Sequence, residues 1–190
     1  RRARFMKEKK LVYKIAACGI YSALALIAFF IEGLFPPLFL PSARIGVSNL
    51  FILLAAITLG AKYGAAALII KCILGSVFSG NLSAIIYSLP AGVIAYAAEI
   101  SALRFFKGTT VTAISALGAV FNSVCQNAIF CLITGSFGYF VYLPYLAAAG
   151  LLGGLTVGLA ATLILRILPK NLCYGGLYEN LYKIYKGEKR

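Results

Sequence analysis

The sequence predicts an all-α integral membrane protein with six transmembrane helices and both termini in the cytoplasm. Of its 190 residues, 62% are hydrophobic and only 12% are charged, and the mean hydropathy is +0.93. A soluble domain of this length cannot bury so much apolar surface, because the buried fraction rises only slowly with chain length. Several membrane spans are therefore the simplest interpretation of the composition.

The first three spans are apolar stretches that end at helix-breaking residues. They cover residues 11–35, 46–59 and 63–78, and they end at Pro36-Pro37, Gly60 and Ser79-Gly80-Asn81. The second and third are shorter than the roughly 20 residues of an ordinary crossing. We expect them to be tilted, supplemented by flanking backbone or packed beside a cavity.

The last three spans are longer and less interrupted. They cover residues 82–103, which include Pro90, then residues 110–134 and 140–168. A glycine-containing segment, residues 135–138, separates the fifth span from the sixth. We accordingly divide the chain into a basic cytoplasmic segment (residues 1–10), a transmembrane domain (11–168) and a basic amphipathic tail (169–190).

The distribution of charge predicts the orientation. The net charge is +13, and the basic residues crowd the two ends of the chain, with Lys62, Arg104 and Lys107 in the loops that six spans place on the same side. The opposite loops carry only Arg44. This asymmetry follows the positive-inside rule with both termini in the cytoplasm of a plasma-membrane protein. We do not expect nucleic-acid binding, since no recognition motif accompanies the charge.

The tail after Pro169 alternates leucine and tyrosine with lysine, which is typical of an amphipathic segment at the inner membrane interface. Docking into the groove of a soluble partner is the alternative.

Lys71 is a cation midway along the otherwise apolar stretch from Gly64 to Phe78. Charges near the middle of a bilayer are costly, and they usually face a cavity, a partner or a ligand. Helical spacing places Lys71 on one face with Gly64, Gly75 and Phe78, so the glycines leave room for a neighbouring helix or a ligand head group. We expect Lys71 to contact a negatively charged ligand, and a pair with Glu32 or Glu99 is the alternative.

Span five is the most polar helix. Ser115, Asn122 and Gln126 fall on one face, with Ser123 and Asn127 beside them. Side-chain amides in lipid need partners, either across helices or on a bound solute. Asn122 and Gln126 are the stronger candidates for solute contact, because their i, i+4 spacing presents two amides to one place.

The connection before span two supplies a third group of candidates. Arg44 could clamp a phosphate or carboxylate, or it could be a snorkelling interfacial arginine. Asn49 lies one turn further in, and Asn81 and Tyr87 could close the cavity from the third loop and the fourth span.

Two stripes of small residues predict close helix packing. Span six carries Gly150, Gly154 and Gly158, and span one carries Ala16, Gly19 and Ala23. Internal packing is the first interpretation of both. A docking surface for another membrane subunit is the alternative, and it suits span one better because that helix is at the end of the bundle.

No metal site, cofactor site or catalytic group is expected. The five cysteines show no CxxC pairing and are interpreted as small unpaired core residues. The chain contains no histidine and no aspartate, and it has no nucleotide-binding glycine loop.

Three segments resemble a known family. They are Arg44-Ile45-Gly46-Val47-Ser48-Asn49-Leu50, Leu59-Gly60-Ala61-Lys62-Tyr63-Gly64-Ala65 and Leu74-Gly75-Ser76-Val77-Phe78-Ser79-Gly80, joined by Gly118-Ala119-Val120-Phe121 with Gln126. The chain resembles the Gx transporter family, also labelled heptaprenyl diphosphate synthase component I, over about residues 16–161. That family is similar to the substrate-binding S components of energy-coupling factor (ECF) vitamin transporters.

The resemblance implies a six-helix bundle that binds a small solute near the outer face. It implies docking through a small-residue face of the first helix onto a transmembrane coupling protein, with two cytoplasmic ATPases supplying energy. In the family, a cation occupies the position of Lys71 and an asparagine that of Asn49. This chain departs from its relatives in span five, where the His-Asn-x-Gly-Gln pattern retains only Gln126, and in the AxxxA docking pattern, which is reduced to Gly19 and Ala23.

The expected function is therefore the substrate-binding membrane subunit of an ECF-type transporter, for a small anionic vitamin-like, flavin or prenyl-type solute. The alternative is a non-catalytic membrane accessory of polyprenyl diphosphate synthesis. Prenyl transfer by this chain alone is not expected, because such synthases hold Mg²⁺ and diphosphate with clustered aspartates.

Overall fold

The protein is a bundle of helices. The computed structural model describes residues 2–34, 46–105 and 109–168, with side chains from Glu8 onward in the first range. The helices are α1 (Arg2–Leu34), α2 (Val47–Thr58), α3 (Ala61–Phe78), α4 (Ala84–Phe105), α5 (Val111–Thr134), a short 3-10 helix (Phe137–Tyr142) and α6 (Leu143–Ile167). These ranges contain no strand, which confirms the all-α class and the six predicted helices.

Five of the helices are long and apolar enough to cross a membrane, and α2 is shorter. Nine of the 12 residues of α2 are buried, so its apolar surface faces other helices on nearly all sides, as expected of a helix in the middle of a bundle. A 12-residue helix rises only about 18 Å, against about 30 Å of hydrocarbon. It packs against α1, α3 and α6, so the short second span is an internal helix.

Glycines set the ends of several helices. Only Leu59 and Gly60 separate α2 from α3, and Gly60 has a φ of 116°, a conformation that residues with a Cβ rarely adopt. Gly135 ends α5 in the left-handed region with a φ of 64°. The opposite end of α5 is capped by Thr110, whose hydroxyl oxygen accepts a hydrogen bond from the Ala113 N–H at 3.3 Å. Chain reversals therefore occur where the sequence analysis places them.

The glycine stripe of α6 packs against α5. A Cβ added at Gly154 would lie 2.6 Å from the Ala116 Cα, and one at Gly150 would lie 3.0 Å from the Ala119 carbonyl oxygen. Such close approach of two backbones requires small residues. The internal-packing interpretation of span six is confirmed.

The stripe of α1 behaves differently. Ala16, Gly19 and Ala23 are exposed, and no described atom lies within 4 Å of a Cβ added at Gly19. Internal packing is therefore wrong for this stripe. The reason is the rotation of α1, which turns Cys18, Ser22 and Ala25 into the bundle instead.

Basic side chains collect at one end of the bundle. The first half of α1 contacts the start of α3, where the Cys18 thiol donates to the Tyr63 carbonyl oxygen at 3.4 Å. The second half of α4 contacts the start of α3 as well, where the Tyr96 hydroxyl donates to the Ala61 carbonyl oxygen at 2.6 Å. The same end contains four of the cations of the helical segments. They are Lys14, Lys62, Arg104 and Arg166. Glu32 lies at the other end, so the charge asymmetry used to predict orientation is present in the fold.

The two glycine stripes should respond oppositely to a methyl group. We expect Gly154→Ala to lower the melting temperature of the detergent-purified protein, because overpacking against the backbone of α5 costs about 1–3 kcal/mol. Gly19→Ala is the matched control, and it should leave the melting temperature unchanged or slightly raised, since alanine favours helix. Equal destabilisation by both changes would contradict the packing described above.

Candidate functional site

A cavity of about 350 Å³ lies inside the bundle. All six α-helices contribute to its wall, and the volume is within the range of small-molecule binding sites. Its polar lining comprises Glu32, Ser48, Asn49, Lys71, Ser76, Ser79, Asn81, Tyr87, Ser88, Tyr96, Glu99, Ser115, Asn122, Ser123, Gln126 and Asn127. The lining thus includes six of the seven residues that the sequence analysis selects for solute contact. The seventh, Arg44, is outside the described residues.

Lys71 is half-buried on the cavity wall and is held by two neighbouring helices. Its ammonium group donates a hydrogen bond to the Asn49 Oδ1 of α2 at 3.1 Å. The Nζ atom also lies 5.7 Å from the centroid of the Phe29 ring of α1, a distance suited to a cation–π contact. Asn49 and Phe29 therefore orient the cation, and Asn49 is a partner of Lys71 as well as a lining residue.

Gly64 and Gly75, on the same face of α3 as Lys71, allow neighbouring helices to approach closely. A Cβ at Gly64 would lie 2.7 Å from the Ala56 Cβ of α2, and a Cβ at Gly75 would lie 3.2 Å from the Phe29 ring. The sequence predicts either a neighbouring helix or a ligand head group beside these glycines, and neighbouring helices occupy the space. The ring of Phe29 can consequently approach α3 and lie beneath the Lys71 ammonium group.

The two glutamates of the described spans line the same cavity at different depths. Glu32, at the end of α1, accepts a hydrogen bond from the Val47 N–H, where the first turn of α2 favours a negative charge. Glu99 extends from α4 nearer the basic end, and its carboxyl group lies against Gly118 of α5, where a Cβ would clash with it. Glu32 is thus engaged by the N-terminus of α2, and Glu99 packs on α5.

The polar face of α5 divides into partnered and unpartnered groups. The Asn127 amide donates to the Tyr139 carbonyl oxygen at 3.2 Å, and the Ser123 hydroxyl donates to the Ala119 carbonyl oxygen at 3.0 Å. Asn122 and Gln126 line the cavity and make no hydrogen bond to any described residue. No fully enclosed side-chain N or O atom in the described ranges lacks a partner, so these two amides face the open space of the cavity.

Asn81 and Tyr87 lie at the end of the cavity away from the basic residues. The Asn81 Oδ1 accepts a hydrogen bond from the Ala84 N–H at 3.3 Å and so caps α4. The Tyr87 ring meets the Phe130 ring edge to face, with centroids 5.6 Å apart, and Phe130 meets Tyr139 at 5.2 Å. Tyr87 lines the cavity, and its contact with Phe130 links it to Tyr139 of the 3-10 helix.

Sequence reasoning missed Glu99 and Phe29 as lining residues. Glu99 entered only as a possible partner of Lys71, although a carboxyl group within an apolar span is itself a signal of function. Phe29 carried no signal, because an aromatic residue in an apolar span is ordinary.

The four cysteines of the described ranges (Cys18, Cys72, Cys125 and Cys131) are free thiols. Cys173 is outside the described residues.

Six apolar helices around an internal cavity with polar walls define a multi-pass membrane protein with a small-molecule-sized site. Residues 21–164 match the family model described as Heptaprenyl diphosphate synthase component I. The match covers well over half of the chain, and the protein belongs to this family. Neither the curated proteins nor the solved structures contain a match to it.

The asparagines of α5 should differ in their contribution to stability. We expect Asn127→Leu to lower the melting temperature in detergent, because it leaves the Tyr139 carbonyl oxygen without its donor, at a cost of about 1–3 kcal/mol. Asn122→Leu removes an amide that has no described partner, so the melting temperature should stay the same or rise. A larger loss for Asn122→Leu than for Asn127→Leu would show that Asn122 is a structural residue.

Proposed function

We propose that this chain is the substrate-binding membrane subunit of an ECF-type transporter, and that its solute is a small anion of vitamin-like, flavin or prenyl type. The observation that carries the proposal is the cavity, in which the ammonium group of Lys71 and the open amides of Asn122 and Gln126 face one space. An amide without a partner in a membrane bundle is costly, and Asn122 and Gln126 make no hydrogen bond to any described residue. Contact with a solute that enters from water would offset that cost.

The chemistry of the cavity favours an anion near Lys71. Its ammonium group lies on the cavity wall, beside the Asn49 amide and the Phe29 ring. A carboxylate or phosphate could accept a charge-assisted hydrogen bond from Nζ, which is stronger than a neutral one. Asn122 and Gln126 can each donate and accept hydrogen bonds, so they suit the polar rim of such a solute.

Transport requires partners, because the chain has no nucleotide-binding motif. We propose a transmembrane coupling protein and two cytoplasmic ATPases. The exposed stripe of Ala16, Gly19 and Ala23 on α1 supports this assembly, since small residues let a second helix approach closely. The basic end of the bundle would then face the cytoplasm of a plasma-membrane protein.

Native mass spectrometry of the detergent-purified protein tests the solute site. We expect a co-purified anionic small molecule on the wild type and a loss of at least tenfold in its occupancy in Lys71→Met, since a hydrogen bond to a charged group contributes about 1.5–3 kcal/mol. Lys62→Met, at the exposed basic end, is the matched control and should retain the molecule. Equal occupancy in wild type and Lys71→Met would refute the cationic site.

The docking proposal has a separate test. Gly19→Phe adds a large side chain to the exposed stripe, and we expect it to abolish co-purification of the coupling subunits while leaving the melting temperature of the isolated chain unchanged. Leu159→Phe, at an exposed position of α6, is the control and should keep the complex. The proposal fails if both variants co-purify with the same subunits as the wild type.

A second candidate is supported by the description of the family. We propose as the alternative a non-catalytic membrane accessory of polyprenyl diphosphate synthesis, in which an aspartate-bearing partner holds Mg²⁺ and diphosphate. This alternative requires a stable complex with such a synthase, and chain elongation should be lost when this chain is deleted. Co-purification of ATPase subunits without a synthase would favour the transporter.

A further inference from the structure

We propose that Glu99 is a second recognition group in the cavity, and that it binds a nitrogen group of the solute that donates hydrogen bonds. The inference rests on the proposed function and makes the substrate class more specific. The solute would be dipolar, with an anionic group near Lys71 and an amine or similar N–H group near Glu99.

The carboxyl group of Glu99 is available to the cavity. Glu99 is half-buried and belongs to the lining, and it makes no hydrogen bond or ion pair to any residue in the described ranges. Since every fully enclosed polar side-chain atom there has a partner, its oxygens face open space. A carboxyl group inside a membrane bundle is costly unless something satisfies it.

The position of Glu99 is fixed by the helices around it. Its side chain lies against Gly118, where any Cβ on α5 would clash with the carboxyl group. Three residues earlier on α4, the Tyr96 hydroxyl is anchored to the Ala61 carbonyl oxygen of α3. The lack of a side chain at Gly118 therefore leaves room for the carboxyl group between α4 and α5, beside the cavity that Glu99 lines.

Glu99 and Lys71 are at different depths. A Cβ at Gly92 of α4 would lie 3.3 Å from Leu68 and 3.9 Å from Cys72, so Gly92 is level with the part of α3 that carries Lys71. Glu99 is seven residues further along α4, which is about 10 Å of helix rise.

Asn122 lies at a depth between Glu99 and Lys71, and Gln126 lies close to the level of Lys71. Asn122 and Gln126 follow Gly118 by one and two turns of α5, about 6 Å and 12 Å. From its basic end, the cavity therefore presents the Glu99 carboxyl group first, the Asn122 amide next, and the Lys71 ammonium group and the Gln126 amide at similar depth. This order fits an elongated solute with opposite charges at its ends.

Two linear probes of equal length test the proposal on the full chain purified in detergent. The first is 8-aminooctanoate, with a carboxylate and an ammonium group about 10 Å apart, and the second is octanedioate, with a carboxylate at each end. Isothermal titration should show that the wild type binds the amino acid at least about tenfold more tightly, because charged hydrogen bonds discriminate by that order. Glu99→Gln should reduce the preference to less than about threefold.

Three further variants separate the outcomes. Glu8→Gln makes the same chemical change on an exposed residue of early α1 and should keep the preference. Lys71→Met should weaken the binding of both probes and keep the preference for the amino acid. If this variant binds both probes as tightly as the wild type, the proposed anion site is refuted, and not the role of Glu99. If Glu99→Gln does not fold, Glu99→Asp retains the carboxyl group on a shorter side chain and should lower the preference partially. Equal binding of the two probes by the wild type, no binding of either, or a full preference in Glu99→Gln overturns the role of Glu99.

Discussion

The cost of placing polar groups in hydrocarbon is the constraint on which this structure depends. A charge or an amide without a partner in the membrane raises the free energy by several kcal/mol, so such groups must face one another, the backbone or an internal space. In the described helices, the Asn127 amide donates a hydrogen bond to the Tyr139 carbonyl oxygen, and the Lys71 ammonium group donates one to the Asn49 Oδ1. Asn122, Gln126 and Glu99 make no hydrogen bond within the described ranges, and they line the cavity.

Glycines bring two helices close together beside the cavity. The backbones of α5 and α6 approach each other at Gly154, and Ala119, Gly150 and Gly154 of this contact also line the cavity. The short helix α2 fills the centre with apolar side chains and presents Ser48 and Asn49 to the same space.

Local patterns in the sequence predicted the spans and their class, since apolar runs and glycine or proline breaks determine helix ends. They also identified Lys71, Asn122 and Gln126 as unusual residues for a membrane helix. What they could not provide was the rotation of each helix. The Lys71–Asn49 hydrogen bond joins residues 22 positions apart, and the outward direction of Gly19 depends on how α1 packs. The packing of Glu99 on Gly118 likewise follows only from the assembled bundle.

The central claim is that a membrane-embedded cavity admits solutes from water and prefers anions because of Lys71. It is tested most directly by the reaction of Asn122→Cys, in a background without the native cysteines and reconstituted in vesicles, with anionic and cationic methanethiosulfonates. The anionic reagent should react faster, and the preference should disappear when Lys71→Gln is added. Leu132→Cys, on the exposed apolar surface, should react slowly with both reagents. No reaction at position 122, or a preference that is independent of Lys71, would contradict the claim.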